Sequence, residues 1–174
     1  MYKIIKIVKV DSNYCDYLRK FDNKVPYNYN NKKLRPFMGI LFEVENVEYF
    51  APLSSPKEKH KKLQNTIDLI KIKDGKYGVV NINNMIPVTN NNYIAFDLKK
   101  YTTNKKEMLR IELLNNQLRW LTVNRKEIYT KSRLLYHLYK TDKLHKNIKD
   151  RCCNYPLLEE KCMEYNNSKE LQEV

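Results

Sequence analysis

Two adjacent hydroxyl groups stand where a strand-like segment ends and a run of positive charge begins. The stretch APLSSPKEKH at residues 51–60 follows an aromatic and β-branched segment and brings together Ser54, Ser55, Lys57 and His60. These residue types suit one hydrolytic reaction that needs no metal, the cleavage of RNA by its own 2′-hydroxyl. The protein must then align the 2′-oxygen with the phosphorus, stabilise charge on the phosphoryl oxygens and move protons. A plain strand end with a turn or helix cap remains an alternative for this stretch alone.

A second candidate is the polar loop of residues 22–36, in which aromatic rings alternate with amides and precede cations. Its residues of interest are Tyr27, Tyr29, Asn31, Lys32, Lys33 and Arg35. Rings can stack on bases, amides can hydrogen-bond base edges and cations can contact phosphates, so the composition is typical of single-stranded RNA binding. A solvated irregular loop is the alternative.

The charge of the chain points to the same kind of partner. The 174 residues carry a formal net charge of +13, and residues 99–151 alone contain 15 Lys and Arg against five Asp and Glu. Such an excess favours nucleic acid or another anionic surface as the partner. The alternative for residues 99–151 is a solvated helix face.

Several classes of function lack their sequence signals. No phosphate-binding glycine loop, dinucleotide fingerprint, HExxH zinc motif or nucleophile elbow occurs, and the chain has only three glycines. The carboxylates are scattered and the four cysteines and three histidines lack zinc-site spacing, so we expect no metal and no cofactor. The cysteines are expected to be free, buried thiols. Without a signal peptide or an apolar run of about 20 residues, the protein is predicted to be cytoplasmic.

Hydrophobic periodicity predicts strands in the first half of the chain and helices in the second. The predicted elements of the first half are a strand over 2–10, a helix from an Asp11–Ser12 cap to about Phe21, and two hairpins. The first hairpin, over 37–53, has one buried strand over 37–44 and a turn at Glu45–Asn46, and the second, over 66–82, turns at its Asp-Gly pair. Extended segments at 85–88 and 94–98 follow, and then helices over 104–122, with Met108 in its apolar stripe, around 128–138 and over 156–165. This order predicts an α+β fold with an antiparallel sheet. We expect a single domain over residues 1–166 and a poorly ordered polar tail over 167–174.

Five segments resemble one known family. They are KVP at 24–26, RPFMGI at 35–40, YFAPLSSPK at 49–57, NNMIPV at 83–88 and CCNYPLLEEKC at 152–162. In this order they are similar to the ToxN/AbiQ family, the endoribonuclease toxins of type III toxin–antitoxin systems. The resemblance extends from the first strand to about residue 166.

The resemblance implies a fold and an activity. The fold is a compact, strongly bent antiparallel sheet like that of the MazF/Kid toxins, with C-terminal helices packed around it. The activity is metal-independent cleavage of RNA, often at adenine-rich sites, to a 2′,3′-cyclic phosphate and a 5′-hydroxyl. A small repeat RNA that folds as a pseudoknot is the implied partner; the toxin processes it, is inhibited by it and assembles with it into a closed ring. Cellular or phage mRNA is the implied substrate, and growth inhibition and abortive phage infection the implied outcome.

The resemblance also assigns residues. Ser55 is the critical hydroxyl, Ser54 precedes it, and Lys57 and Arg35 are the implied charge stabilisers. Tyr14 on the first helix is implied to lie near the site. His60 and the neighbouring lysines Lys59, Lys61 and Lys62 are expected to contact RNA, together with the tyrosines, amide and lysines of the 22–36 loop.

Two other hypotheses fit the same composition. A non-catalytic single-stranded RNA-binding protein would use the charge, the tyrosines and the asparagines without cutting. A basic globular protein that binds other proteins would show little salt dependence in any RNA binding.

Overall fold

The computed structural model describes residues 4–27 and 35–170. The strands are β1 (Lys6–Val10), β2 (Phe37–Gly39), β3 (Glu43–Val44), β4 (Val47–Ser54), β5 (Ile70–Lys71), β6 (Val79–Val80), β7 (Ile86–Val88) and β8 (Tyr93–Ala95). The helices are α1 (Ser12–Arg19), α2 (Glu58–Lys62), α3 (Lys105–Val123), α4 (Arg125–Lys140), α5 (Lys146–Lys149) and α6 (Tyr155–Glu170).

The strands form one antiparallel sheet that is centred on β4. Its order is β5-β6-β4-β2-β1-β8, and β3 and β7 also pair with β4. Strand β4 changes partners along its length, because residues 48–50 pair with β7 whereas residues 53–54 pair with β6. A strand that passes from one set of partners to another makes a corner in the sheet. The predicted α+β fold, with a bent antiparallel sheet and C-terminal helices, is confirmed.

The hairpin predicted over residues 37–53 is present. Its turn consists of Glu45 and Asn46, whose φ angles of 47° and 68° match a two-residue hairpin turn. The prediction of one continuous strand from 37 to 44 is wrong, since β2 and β3 are separate. Residues 40–42 leave the regular ladder at the corner of β4, although Leu41 N still donates to Tyr49 O at 2.9 Å.

The second hairpin is shorter than its predicted span of residues 66–82. Strands β5 and β6 have two residues each and pair antiparallel. The predicted Asp-Gly turn is confirmed: Lys73, Asp74 and Gly75 all have positive φ. A hairpin with such short strands is not stable by itself, so contacts with the rest of the protein must hold it in place.

Side chains from α3 and α4 provide that support. Gln117 Nε2 donates to Tyr77 O at 2.7 Å, and Lys131 Nζ donates to Leu69 O at 2.7 Å. Each bond satisfies a main-chain carbonyl of the hairpin segment. The helical half of the chain therefore fixes the position of the β5–β6 hairpin.

Helices α1, α3, α4 and α6 occur where periodicity predicts them. Asp11 caps α1 as predicted, because its Oδ1 accepts from Asn13 N at 2.7 Å and Tyr14 N at 3.1 Å. Helix α5 was not predicted, since its four residues are too few to show a helical period. Met108 was assigned to the apolar stripe of α3 but is 53% exposed. Helix α6 continues to Glu170, four residues beyond the predicted domain end.

All four cysteines are free and buried, which confirms the prediction for them. Burial raises the pKa of the Cys15 thiol to about 12 and that of the Cys152 thiol to about 11. Both thiols therefore stay protonated at neutral pH and are poor nucleophiles.

Candidate active site

The predicted catalytic residues meet where β4 leaves the sheet. Ser54 is the last residue of β4 and pairs with Val79 of β6. On the other side Leu53 N donates to Pro36 O at 2.9 Å, which places Arg35 beside Ser54 in the register. Neighbouring strands lie about 4.8 Å apart, so Arg35 and Ser54 start from adjacent backbone positions. We call Arg35, Ser54, Ser55 and Lys57 the serine end of β4.

The side chains of the serine end are accessible. Ser54 is half-buried, whereas Ser55, Lys57 and Arg35 are exposed. Arg35 reaches solvent, yet the protein around its guanidinium removes enough water to lower its pKa. Its charge is thus held in a less polar setting than that of a free surface arginine, which strengthens its attraction for an anion.

A glycine of the neighbouring hairpin allows the serine end to adopt its shape. Gly78 has a φ of +94°, a conformation that residues with a side chain rarely adopt. A Cβ atom at this position would lie 1.9 Å from Ser54 O and 3.0 Å from Ser55 C. The backbone of residues 54–55 therefore rests directly on the β5–β6 hairpin.

The hydroxyl of Ser54 has a partner that sequence reasoning missed. Asn81 Nδ2 donates to Ser54 Oγ at 2.9 Å across the sheet. Asn81 lies just before the NNMIPV segment, but a single sequence gives no signal that pairs a residue with another 27 positions away. The β4–β6 register is what joins them.

Helix α2 continues the site with three more cations, Lys59, Lys61 and Lys62. Lys57 precedes the helix in extended conformation, and its carbonyl accepts from His60 N at 2.8 Å. Lys59, Lys61 and Lys62 are exposed, as RNA contacts require. Lys71 of β5 secures the far end of the helix by donating to the main-chain oxygens of residues 61 and 63 at 3.0 and 3.1 Å.

His60 is the buried residue of α2, and its side chain faces the protein rather than solvent. The side chain is 4% exposed, and its Nδ1 has no hydrogen-bond partner among the described residues. Burial, followed by the charges of Lys59 and Lys57, lowers the pKa of His60. The imidazole is therefore neutral at neutral pH. The prediction that His60 contacts RNA is corrected by this burial, since a side chain with so little accessible surface cannot reach RNA.

Comparison with known proteins assigns this chain to a family. The family model described as toxin ToxN of type III toxin–antitoxin systems matches residues 6–163. The chain belongs to the ToxN toxin family. Endoribonuclease ToxN of Bacillus thuringiensis subsp. kurstaki is 31% identical to it over 97% of this chain and 88% of that protein.

Solved structures agree with the assignment to the ToxN family. One, from work on a processed non-coding RNA that regulates a bacterial antiviral system, has a TM-score of 0.77 and 28% identity over 91% of this chain and 98% of that one. Another, from work on selective toxin inhibition by a non-coding RNA pseudoknot in type III systems, has a TM-score of 0.77 and 30% identity over 94% and 99%. The predicted family and enzyme class are confirmed.

Tyr14 does not have the place that the family resemblance implied. The ring is fully buried, its hydroxyl donates to Pro87 O at 2.6 Å, and it packs 5.1 Å from the ring of Tyr165. A ring without accessible surface cannot stack on a base. The prediction that Tyr14 binds RNA is therefore corrected: this tyrosine joins α1 to β7 and α6 in the core.

The loop of residues 22–36 is described only at its two ends. Tyr27 is 64% exposed, and the guanidinium of Arg19 lies 4.0 Å from the centre of its ring. Arg19 also donates to Val25 O and Pro26 O, so it fixes the chain that leads to Tyr27. The predicted RNA contacts Tyr29, Asn31, Lys32 and Lys33 lie outside the described residues.

Three of the ToxN-like segments meet in a cluster of satisfied polar groups. Asp22 accepts from Asn154 N at 2.6 Å and from Lys24 N at 2.9 Å, while Lys24 Nζ donates to Cys152 O at 2.8 Å. Asn84 Nδ2 donates to Lys24 O at 3.1 Å. We call Asp22, Lys24, Asn84 and residues 152–154 the polar clasp. It joins the KVP, NNMIPV and CCNYP segments, which are far apart in the sequence.

The basic region of residues 99–151 is spread over α3, α4 and α5, and several of its cations are paired. Arg151 binds both carboxylate oxygens of Asp68 at 2.7 and 3.2 Å, and Lys140 pairs with Glu159 at 3.1 Å. Such pairs reduce the positive electrostatic field that this region offers to RNA.

Among residues 4–27 and 35–170, no group of three or more His, Cys, Asp and Glu could hold a metal ion. In the same part of the chain, no helix has the length and apolarity to cross a membrane.

Proposed function

We propose that this ToxN-family protein cuts single-stranded, adenine-rich RNA without a metal ion and leaves a 2′,3′-cyclic phosphate and a 5′-hydroxyl. The observation that supports this most is the meeting of two hydroxyls and two cations at the serine end of β4. Hydroxyls and fixed cations are what a transition state with charge on its phosphoryl oxygens requires.

The reaction uses a nucleophile that RNA already contains. The 2′-oxygen attacks the phosphorus and loses its proton, the bond from phosphorus to the 5′-oxygen breaks, and the leaving oxygen takes up a proton. Ser55 donates a hydrogen bond that holds the phosphate in line with the 2′-oxygen. Arg35 and Lys57 neutralise the developing charge, and Lys57 also takes part in proton transfer. Arg35 is not the base, because a guanidinium keeps its proton in proteins even where burial lowers its pKa.

The RNA strand continues from the serine end over α2. Lys59, Lys61 and Lys62 are exposed there and meet successive phosphates. The turn between β5 and β6 adds Lys73 and Lys76, both exposed and both within 6 Å of the Tyr77 ring, at 5.3 and 5.9 Å. The exposed ring of Tyr27 offers a stacking surface for a base.

The biological role that we propose follows the relatives. A small repeat RNA folded as a pseudoknot is processed by the protein, inhibits it and assembles with it into a ring in the cytoplasm. Cellular or phage mRNA is the substrate once the toxin is free, so its release stops growth and aborts phage infection. The similarity to a toxin that a non-coding RNA pseudoknot inhibits supports this role.

Cleavage is tested with purified protein, adenine-rich and adenine-poor RNA, and buffers that contain either EDTA or Mg²⁺. We expect cleavage of the adenine-rich strand at the same rate in both buffers, with cyclic phosphate at one new end and a free 5′-hydroxyl at the other. A strict requirement for Mg²⁺ would contradict the mechanism. Retarded but uncut RNA would favour the non-catalytic RNA-binding protein instead.

The antitoxin is tested by expressing the protein with and without the tandem repeat that the proposal expects beside its gene. We expect growth arrest from the protein alone, rescue by the repeat RNA, and co-purification of a processed repeat at a fixed molar ratio. Native mass spectrometry of that complex measures the number of protomers. A protein that arrests growth equally with and without the repeat would contradict the regulatory part of the proposal.

A further inference from the structure

The bond between Asn81 and Ser54 controls the direction of one hydroxyl proton at the serine end. Asn81 Nδ2 lies 2.9 Å from Ser54 Oγ, so the serine oxygen accepts a hydrogen bond from the amide. The same Nδ2 is 3.5 Å from Pro52 O, and a carbonyl oxygen can only accept. The amide therefore presents its NH₂ group, and not its oxygen, to the serine.

The backbone holds Asn81 in this position. Asn81 N donates to Pro52 O at 3.1 Å, and Asn81 O accepts from Asn84 N at 3.1 Å. The residue is thus fixed to β4 on one side and to the turn of residues 82–84 on the other. Few side-chain torsions remain free, so the amide is pre-organised toward Ser54.

A serine hydroxyl that accepts a hydrogen bond can still donate its own proton to a second partner. Among the described residues, no group accepts the proton of Ser54 Oγ. With Asn81 occupying one lone pair, that proton is left to point away from the amide. Arg35 is opposite Ser54 in the register, so their side chains leave the sheet on the same face. This is the side on which the scissile phosphate binds in the proposed function.

We propose that Asn81 is a positioning residue that orients the Ser54 hydroxyl as a donor to a phosphoryl oxygen of the RNA. The inference rests on the proposed function of the serine end. Asn81 itself acts through Ser54 and does not touch the reacting atoms.

The proposal predicts that Asn81 matters only while residue 54 carries a hydroxyl. Asn81→Ala should lower kcat about tenfold in the wild-type background, the effect of one lost hydrogen bond to a reacting group. The same change should have the same effect in a Ser54→Thr background and less than a twofold effect in a Ser54→Ala background. Asn81→Asp, which is nearly isosteric, should lower kcat more than Asn81→Ala, because its carboxylate draws the hydroxyl proton inward and repels the phosphate.

A structural role alone would give a different pattern. Thermal unfolding of each variant separates loss of fold from loss of orientation, and KM should change less than kcat. An Asn81→Ala effect that persists in full in the Ser54→Ala background would overturn the proposal, as would wild-type kcat in Asn81→Ala.

Measuring RNA affinity as well as cleavage makes the test of Asn81 independent of the proposed function. The same double-mutant cycle is measured on the Kd of an RNA that carries a single 2′-deoxy nucleotide before the scissile phosphate. If wild-type protein binds RNA but cuts none, the proposed function fails, and the cycle is then decided by Kd. Coupling between Asn81 and Ser54 in that Kd supports the orientation of the hydroxyl, and its absence overturns it.

Discussion

The serine end of β4 and the polar clasp are both built from segments that resemble the ToxN family, yet their polar groups are used differently. In the clasp, Asp22, Lys24 and Asn84 find their partners within the chain. At the serine end and the adjoining α2, Lys57, Lys59 and Lys62 have no carboxylate partner among the described residues. The chain supplies partners for the polar groups of the first region, whereas these three lysines of the second remain available to an anion.

The comparison distinguishes polar groups that stabilise the fold from polar groups that bind a ligand. A buried polar group must be satisfied by the protein, because leaving it without a partner costs stability. An exposed cation next to other cations costs stability through repulsion and is repaid only when an anion binds. We therefore expect changes in the clasp to affect folding and changes at the serine end to affect the reaction.

The largest expected effect comes from Ser55→Ala. Removing one donor to the developing charge should slow cleavage by roughly 100- to 1,000-fold. The exposed side chain makes little contribution to folding, so the melting temperature should stay within about 2 °C. The rate is measured under single-turnover conditions and the fold by thermal unfolding.

Ser168→Ala on α6 is the matched control, since Ser168 is exposed and lies outside the site. It should change neither quantity. Cleavage by Ser55→Ala at the wild-type rate would show that the serine end is not where the RNA is cut.

Asp22→Ala should have the opposite profile. It leaves Asn154 N and Lys24 N, both partly buried, without their acceptor, at a cost of about 1 kcal/mol or more for each. The free energy of unfolding from urea titration should fall accordingly, while kcat per folded molecule should stay within about twofold.

Asp97→Ala is the control for this loss. Asp97 also accepts a main-chain N–H, from Lys99 at 3.1 Å, but it does so at an exposed position. Its removal should cost less than about 0.5 kcal/mol. Equal losses in the two variants would remove the distinction between buried and exposed polar groups.

Lys59→Ala and Lys62→Ala should produce smaller changes, confined to RNA affinity. Each lost phosphate contact should reduce the slope of log K against log salt by about 0.7 for single-stranded RNA. Lys169→Ala on α6 is the control, because α6 packs on β7 and β7 pairs with the opposite end of β4. Equal slopes for all three variants would exclude α2 from the RNA path.

The smallest expected effect is a pH dependence of stability from His60. Its folded pKa is lowered, so the unfolded state takes up a proton first as the pH falls below about 6.5. The contribution to stability is therefore present above the unfolded pKa of about 6.5 and declines as the pH falls from there toward the lower folded pKa. Urea unfolding should show a steeper loss for the wild type than for His60→Gln over this range.

His137→Gln supplies the comparison, since His137 is exposed on α4. Because His137→Gln keeps the buried His60, its loss of stability at low pH should be steeper than that of His60→Gln. A His60→Gln profile that matched the wild type would show that the imidazole titrates as freely as in the unfolded chain.

Local signals were sufficient for some features and insufficient for others. The Glu45–Asn46 turn, the Asp-Gly turn and the Asp11 cap depend on a few neighbouring residues, so the sequence alone predicted them. The burial of Tyr14 and His60 depends on distant elements that cover each ring, and both residue types are also common at RNA-binding surfaces. The Asn81–Ser54 bond depends on strand register, which no short segment determines.

The most direct test of metal-free RNA cleavage by the 2′-hydroxyl uses two strands that differ in one oxygen atom. Both carry the same adenine-rich sequence, and one lacks the 2′-hydroxyl before the scissile phosphate. In EDTA under single-turnover conditions, we predict that the wild-type protein cuts the all-RNA strand to a 2′,3′-cyclic phosphate and binds the 2′-deoxy strand with similar Kd without cutting it at that phosphate. Cleavage of the 2′-deoxy strand at that phosphate, or cleavage of the RNA strand only after Mg²⁺ is added, would contradict the account.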